Sequence, residues 1–340
     1  MRPGPSGSAA SSRLGAVRIP RDPPHFLAVR LAVRRHLSRH LAAYGPRGTQ
    51  GGGPERAEAI VGLSGGADST ALLAAALVEG LRLHAVVIDH GLQEGSGAVA
   101  GRAAAMAARM GASAAVYRVA VTGPGGTEAA ARAARYAALS RAAGDRPILV
   151  GHTGEDQAET YLLGALRGNP AGMPPVSGAL HRPLLGVRRA DTQAACRELG
   201  IEPWQDPHNE DAAFRRVALR REVIPGMATA LGVNDPVMPL AQAASRAAED
   251  AAALDLWARR AATKDAVALA RLPGAVRSRI LARMVREAGG RVTGASIRAL
   301  DALVTDWNGQ GPVAVGAGLV VTRADGTLTV TREKGVRDAR

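Results

Sequence analysis

Val61-Gly62-Leu63-Ser64-Gly65-Gly66-Ala67-Asp68-Ser69-Thr70 lies between an apolar run and a segment rich in alanine and leucine. Ala59 to Leu63 reads as a short buried strand, and Ser69 to Val78 reads as the helix that follows it. A strand that ends in Ser-Gly-Gly and turns directly into a helix presents unpaired backbone N–H groups, and the positive end of the helix dipole, to whatever lies above it. That makes an anion site. Gly65 and Gly66 can take up positive φ and let a phosphate approach the backbone, while Ser64 and Ser69 add hydroxyl donors. Asp68 is the odd residue, because a carboxylate facing a phosphate needs a cation between them, and Mg²⁺ suits that place best. The Lys of G-x-x-x-x-G-K-[ST] is missing, which disfavours a Walker-type phosphate loop.

Outward from this loop the same alternation repeats. Leu83 to Ile88 reads as a strand ending in Asp89-His90-Gly91-Leu92, and Ser96 to Met110 as a helix; Ala115 to Val121 is a third strand and Thr127 to Ala143 a helix. Pro147 to Gly151 is a fourth strand, followed by a helix from Glu155 to Leu166. Such alternation predicts an α/β fold, a Rossmann-like parallel sheet with helices on both faces. Ligands of these sheets sit beyond the carboxyl ends of the strands, so Ser64, Asp89, His90, Gly151 and His152 are expected along one rim.

The fourth strand exits into Gly151-His152-Thr153-Gly154-Glu155-Asp156-Gln157-Ala158-Glu159-Thr160, where three acids crowd one helix start. Thr153 with Asp156 fits a capping box, which accounts for only part of the acidity. Asp156 and Glu159, at i,i+3, share a face on which they can hold Mg²⁺ or accept a proton from an amine. Glu128, Arg132 and Arg135 recur at helical spacing, either as an internal salt-bridge ladder or as a charged face aimed at a substrate. Spacing does not separate the two.

A chain of 340 residues invites two or three domains. With 46% hydrophobic but only 3% aromatic residues, its cores should be built from Ala, Leu and Val. The formal net charge of +13, with Arg far in excess of Lys, points to a polyanionic partner held by bidentate contacts. Cys196 is the only cysteine, which excludes an intrachain disulfide and a cysteine-based metal or iron–sulfur site. No apolar run approaches the ~20 residues of a membrane span, and no signal-peptide pattern opens the chain, so the cytoplasm is the expected compartment.

Residues 1–24, rich in Arg, Ser, Pro and Gly as a transit peptide would be, are expected to be a disordered tail. Residues 25–57 comprise a basic amphipathic helix, His25 to Ala43, with Phe26, Val29, Val33, Leu37 and Leu41 on one face, and a Gly-rich loop. Residues 58–230 form the catalytic domain, 231–262 a linker helix and 263–332 a small α+β domain, with 333–340 a charged tail. Arg215, Arg216, Arg220 and Arg221 make a basic cluster suited to phosphates, with Arg182, Arg188 and Arg189 upstream.

The Ser64–Ser69 loop resembles the S-G-G-x-D-S loop of the ATP pyrophosphatases, and the resemblance narrows when the later stretches join it. Gly151 to Thr160, then Arg182-Pro183-Leu184-Leu185, then Gly200-Ile201-Glu202-Pro203-Trp204-Gln205-Asp206-Pro207-His208-Asn209, then Asp211, Phe214, Arg216, Leu219, Arg220 and Pro225 follow in order. Over residues 58–230 they are similar to the tRNA(Ile)-lysidine synthetase family of PP-loop ATP pyrophosphatases; Ala275–Gly289, Thr293–Trp307 and Gly309–Pro312 resemble its smaller C-terminal domain, which would dock tRNA.

The resemblance implies ATP as co-substrate, bound by Ser64, Gly65, Gly66, Ala67, Asp68 and Ser69, with Mg²⁺ at Asp68 and Asp156. It implies adenylation of C2 of the wobble cytidine, C34, of a tRNA(Ile) with a CAU anticodon. Attack by the lysine ε-amine then gives lysidine, AMP and pyrophosphate, and codon reading switches from AUG to AUA. Asp68, Asp156 and Glu159 become the catalytic acids, Glu128, Arg132 and Arg135 the substrate contacts, and Arg215, Arg216, Arg220 and Arg221 the tRNA contacts. With no RRM-like aromatic pattern, recognition should rest on tRNA shape and a splayed base. L-lysine and the tRNA are the expected partners; a homodimer is compatible with the sequence, and no membrane is expected.

The chain departs from the family pattern at Glu155-Asp156, where paired aspartates are usual, at Thr153 for His, at Val217 for Asn, and in a short loop from Gly168 to Met173. Rival readings are a tRNA thiolase, which would need site cysteines, an amidotransferase-type synthetase, which would need a glutamine-hydrolysing partner, and a non-catalytic RNA-binding protein, which would not need buried acids near phosphates.

Overall fold

The computed structural model describes residues 12–19, 23–41, 57–91, 95–120, 127–204 and 215–333. The chain divides into two compact units, Met1–Ala247 and Ala248–Arg340.

In the first unit β1 (Ser12–Leu14) and β2 (Val17–Ile19) form an antiparallel hairpin. Next come α1 (Pro24–His40), β3 (Glu58–Gly62), α2 (Ala67–Val78), β4 (Arg82–Asp89), α3 (Ser96–Met110), β5 (Ser113–Arg118) and α4 (Thr127–Ala143). β6 (Ile148–Leu149), α5 (Gly154–Ala165), β7 (Val176–Ser177), β8 (Leu180–His181) and α6 (Arg189–Glu198) follow. After residues 205–214, which lie outside the described set, come α7 (Arg215–Ala218), a π-helical turn (Leu219–Val223), α8 (Ile224–Leu231) and α9 (Val237–Arg260).

The hairpin at 12–19 corrects the expectation of a disordered tail up to residue 24. Leu14 and Ile19 alternate inward and are buried in the main core, and Ala16 N–H donates to Arg109 O at 2.9 Å. The rest of that tail lies outside the described residues.

Six strands make one sheet in the order β5-β4-β3-β6-β8-β7, parallel except for β7 against β8. Period-2 alternation puts each strand's side chains on both faces. Ala59, Val61, Ala85 and Val87 face the core built with α1, α2, α3 and α6, while Ile60, Val86, Ile148 and Val150 face Leu139 and Ala143 of α4. Helices therefore cover both faces, as the alternation of elements requires. The β7–β8 pair was not expected, since two-residue strands carry no periodicity.

The helix α1 packs against α2 and α6 through Phe26, Val29, Val33 and Leu37. Its first-turn N–H groups at His25 and Phe26 donate to Glu198 of α6 at 3.1 and 2.7 Å, and Arg30 and Arg34 reach the buried Glu79 at the end of α2. This basic helix is thus fixed to the sheet's helical layer.

In the second unit α10 (Ala266–Ala270), α11 (Gly274–Glu287) and α12 (Gly294–Thr305) pack with a three-stranded antiparallel sheet. Its strands are β9 (Val313–Ala314), β10 (Leu319–Ala324) and β11 (Thr327–Arg332), in the order β11-β10-β9. β10 and β11 join through Asp325-Gly326, both at positive φ (49° and 75°), as the twist of a two-residue hairpin turn demands. The expected 231–262 linker is largely α9, and the division between units falls inside that helix. No described helix is long and apolar enough to cross a membrane.

One buried polar contact has a pH consequence. His36 of α1 lies 3.0 Å from His181 of β8, and burial, with His181 and His40 nearby, lowers its pKa from 6.5 to about 3. The unfolded chain therefore takes up this proton near 6.5, while the folded chain holds the ring neutral until about 3, so stability falls as pH drops through that window. Urea midpoints measured from about pH 7 to about pH 5 should fall, this residue's share being at most about 1.4 kcal/mol per pH unit. His36→Gln should flatten the slope; an unchanged slope would contradict the assignment.

Candidate active site

The loop after β3 folds as an anion cradle. Gly65 takes φ +84°, whereas Gly66 is extended at φ −73°, ψ 165°, so only the first of the two uses the left-handed freedom of glycine. Ser64 and Ser69 hydroxyls stand 3.0 Å apart, and Ser64 N–H donates to Ser69 Oγ at 3.2 Å, so the two serines close the loop on itself. No side chain caps the N-terminus of α2, which leaves its first N–H groups aimed outward. The loop borders a cavity of about 470 Å³, whose wall also includes Asp89, His90, Gly151, His152 and Asp156. The rim expected from the strand ends is therefore one continuous surface.

Gly151 allows this closeness. A Cβ there would stand 2.9 Å from the backbone C and O of Asp68 and the N of Ser69, so only glycine lets the end of β6 lie against the first turn of α2.

The acids meet behind the loop, and arginines meet them. Arg189, at the start of α6, donates from Nε to Asp68 Oδ2 at 3.0 Å and from Nη2 to Asp156 Oδ2 at 3.3 Å; its Nη1 lies 4.0 Å from Glu159 Oε1. Thr192 Oγ1 donates to Asp68 Oδ1 in a short hydrogen bond. Asp156 Oδ2 also accepts from the Thr153 N–H at 2.8 Å and hydroxyl at 3.1 Å, the capping contact the sequence pattern predicts. Glu159 has no exposed side-chain surface; Arg220 Nε donates to its Oε1 at 2.8 Å, and Arg216 stands 3.8 Å from its Oε2.

Burial raises the Asp68 pKa against the opposing pull of Arg189 and Thr192. It raises that of Glu159 against the pull of Arg220. At Asp156 burial again pushes upward, but Arg189, His152 and the Thr153 N–H together outweigh it and hold the carboxyl low.

A second, positive wall faces the acids. Arg132 and Arg135 of α4 flank Tyr136, their guanidinium carbons 5.1 and 5.7 Å from its ring centre, and neither makes an ion pair among the described residues. Tyr136 OH stands 3.4 Å from His152 Nε2, and His152 Nδ1 is buried without a partner. Burial, then nearby arginines, outweigh Asp156 and bring His152 down to about 4, so the ring is neutral at ordinary pH. Arg182, also buried, donates to Pro174 O at 2.8 Å and leaves its Nε unpartnered. A cavity wall that carries Arg132 and Arg135 without ion pairs among the described residues suits an anion.

The structure thus brings Ser64, Gly65, Gly66, Ala67, Asp68, Ser69, Asp156, Glu159, Arg132 and Arg135 into one neighbourhood. The side chain of Glu128 lies outside the described residues. The four-arginine phosphate face is divided: Arg216 and Arg220 turn inward to Glu159, while Arg215 and Arg221 are exposed. Arg189, read from sequence as one of several phosphate-holding arginines, is instead the central partner of the acids. Three residues had no assigned role from sequence: Thr192, Gln157, which exchanges two hydrogen bonds with the Met173 backbone at 2.7 and 3.0 Å, and Glu155. Glu155 accepts from Arg188 Nε and Arg189 N–H, both at 2.8 Å. Among the described residues no group of three or more His, Cys, Asp or Glu could hold a metal ion. Mg²⁺ commonly needs only one or two carboxylates when phosphates complete its shell; Asp68 and Asp156, both within reach of the Arg189 guanidinium, are the carboxylates beside the loop that could serve.

Sheet, loop and facing acids define a nucleotide-using PP-loop protein, and a family model described as a PP-loop domain matches residues 35–227. The tRNA(Ile)-lysidine synthase of Corynebacterium glutamicum is 47% identical over 333 residues, covering 94% of this chain and 99% of that protein. That of Corynebacterium diphtheriae is 49% identical, covering 92% and 98%. The chain belongs to the tRNA(Ile)-lysidine synthase family. Among solved structures, the U34-tRNA thiolase NcsA of Methanococcus maripaludis superposes with a TM-score of 0.50 at 14% identity, covering 65% of this chain and 79% of that one, a likeness of fold.

Gly151→Ala should force the loop and β6 apart, lowering unfolding free energy by about 1–3 kcal/mol and weakening ATP binding. Urea unfolding and ATP titration check both; unchanged stability and affinity would show that the close approach is not needed.

Proposed function

We propose that this chain joins lysine to C2 of the wobble cytidine, C34, of a tRNA(Ile) with a CAU anticodon, using ATP, in the cytoplasm. The observation that carries the reading is that the Ser64–Ser69 loop, Asp156, Arg132 and Arg135 share one cavity wall. In the first step the cytosine O2 attacks the α-phosphorus of ATP; the bond from Pα to the β-bridging oxygen breaks and pyrophosphate leaves. The loop N–H groups and the serine hydroxyls receive the charge that develops on the departing group. Mg²⁺, when bound, would be held by Asp68 and Asp156 and would neutralise phosphate charge.

In the second step the lysine ε-nitrogen bonds to C2, the C2–O2 bond breaks and AMP leaves. Asp156, held ionised by its lowered pKa, draws the ammonium into place and takes a proton from it, freeing the nitrogen lone pair that attacks C2; of the three α5 acids Glu155, Asp156 and Glu159, it is the one on the cavity wall. Glu159, paired with Arg216 and Arg220, supports it from behind. Arg132 and Arg135, which line the cavity without an ion pair among the described residues, are suited to the phosphate of the adenylated intermediate or of the target nucleotide. Arg215 and Arg221, exposed neighbours in sequence of Arg216 and Arg220, and the net charge of +13 suit the tRNA backbone.

Thiolation fits poorly. Cys196 is buried, its Sγ 3.6 Å from Ala67 O, and burial pushes its pKa up to about 12, so it is not poised as a nucleophile.

Purified protein given ATP, Mg²⁺ and lysine should release pyrophosphate only when tRNA(Ile) with a CAU anticodon is present. Release that ignores the tRNA would refute the reading. Asp156→Asn should abolish lysidine formation while tRNA affinity stays within about twofold; parallel loss of both would make Asp156 structural.

A further inference from the structure

The Arg189 guanidinium lies between two carboxylates from different helices, Asp68 of α2 and Asp156 of α5. It spans Asp68 and Asp156, the two carboxylates suited to Mg²⁺, at 3.0 and 3.3 Å, and it lines the cavity. We infer that Arg189 is a built-in counter-cation that holds the magnesium position while nucleotide is absent and surrenders it when MgATP binds. The inference rests on the MgATP reading of the site.

Three features of the surroundings make the exchange possible without refolding. Arg189 is anchored through its backbone, whose N–H donates to Glu155 at 2.8 Å, so the side chain can turn while the start of α6 stays fixed. The acids keep other partners when the guanidinium leaves: Thr192 stays on Asp68, the Thr153 N–H on Asp156, and Arg220 on Glu159. The network is also incompletely satisfied, since Arg189 Nη1 and the Glu159 Oε2 atom are both buried without hydrogen bonds. A fully satisfied cluster would resist rearrangement; this one has unmade contacts that an incoming ligand can complete.

Two cations cannot share the space between Asp68 and Asp156, so the guanidinium and the metal compete. The empty protein should therefore bind divalent cations weakly. The site becomes available only when phosphates arrive to attract both the metal and the displaced guanidinium.

Mn²⁺ binding to the full chain, without ATP, lysine or tRNA, tests this through the electron paramagnetic resonance signal of free Mn²⁺. Arg189→Gln should bind Mn²⁺ about tenfold or more tightly than the unaltered protein, and Arg189→Lys, a single unforked charge, should fall between them. Adding Asp68→Asn to Arg189→Gln should remove the gain. Folded Arg189→Gln protein that binds Mn²⁺ no better than the parent, or a gain that survives Asp68→Asn, overturns the inference. Circular dichroism melting reports folding; if Arg189→Gln does not fold, Arg189→Lys decides, with tighter binding supporting the inference and equal binding overturning it. Absence of lysidine formation by the unaltered chain would instead remove the proposed function and leave the Mn²⁺ comparison readable.

Discussion

Three carboxylates drawn out of water at one sheet edge, Glu159 fully and Asp68 and Asp156 largely, cannot stay charged without compensation, and much of the first unit is arranged around supplying it. Asp68 enters from α2, and Asp156 and Glu159 from α5; Arg189 comes from α6, and Arg216 and Arg220 from the helical segment after residue 214. Three guanidiniums thus face three acids. An unpaired buried carboxylate would be driven to its neutral form or would unfold its surroundings, so these elements are bound to one another by charge as well as by apolar burial. The Arg132 and Arg135 wall is the converse. There, half-buried positive charge has no ion pair among the described residues, and the lowered pKa of Arg135, caused first by burial and only partly offset by Tyr136 and Asp156, records that cost.

The parallel sheet and the phosphate loop were legible because long elements carry periodicity and the Ser-Gly-Gly-x-Asp-Ser turn carries its own chemistry. So was the shared rim, since the carboxyl ends of β3, β4 and β6 lie on one edge. The short elements were not: β7 and β8 have two residues each, and the hairpin at 12–19 was hidden by composition typical of a tail. Its apolar residues at 14, 17 and 19 were the available signal. The Asp325-Gly326 turn was likewise present in the sequence as a hairpin dipeptide.

Within the site, the sequence showed more acids than helix capping uses, Asp156 being itself the cap partner of Thr153, but did not choose among the arginines. Arg188, Arg189, Arg215, Arg216, Arg220 and Arg221 look alike as a basic cluster, yet their partners differ with helical position. The π-helical turn at Leu219–Val223 helps decide this, because Arg220 lies in it and reaches Glu159 beside Arg216 one turn earlier. Spacing rules for an α-helix do not foresee a π turn, which often marks functional sites. Val217, between those arginines where the family usually has Asn, is buried, so the inward face there is part apolar and part charged.

The Glu155-Asp156 pair illustrates why a departure from pattern need not alter the chemistry. Asp156 faces the cavity, whereas Glu155 does not line it; its carboxylate receives Arg188 Nε and Arg189 N–H, and Arg188 continues to Asp235 through a short ion pair. The longer Glu side chain is therefore used in joining the start of α5 to the start of α6 and the approach to α9. The cavity-facing carboxylate keeps the shorter Asp form, whose limited reach suits a group that must answer both a cap and a guanidinium through one oxygen. Support and chemistry fall on adjacent residues because successive positions of a helix point in different directions, and the substitution lies on the supporting side.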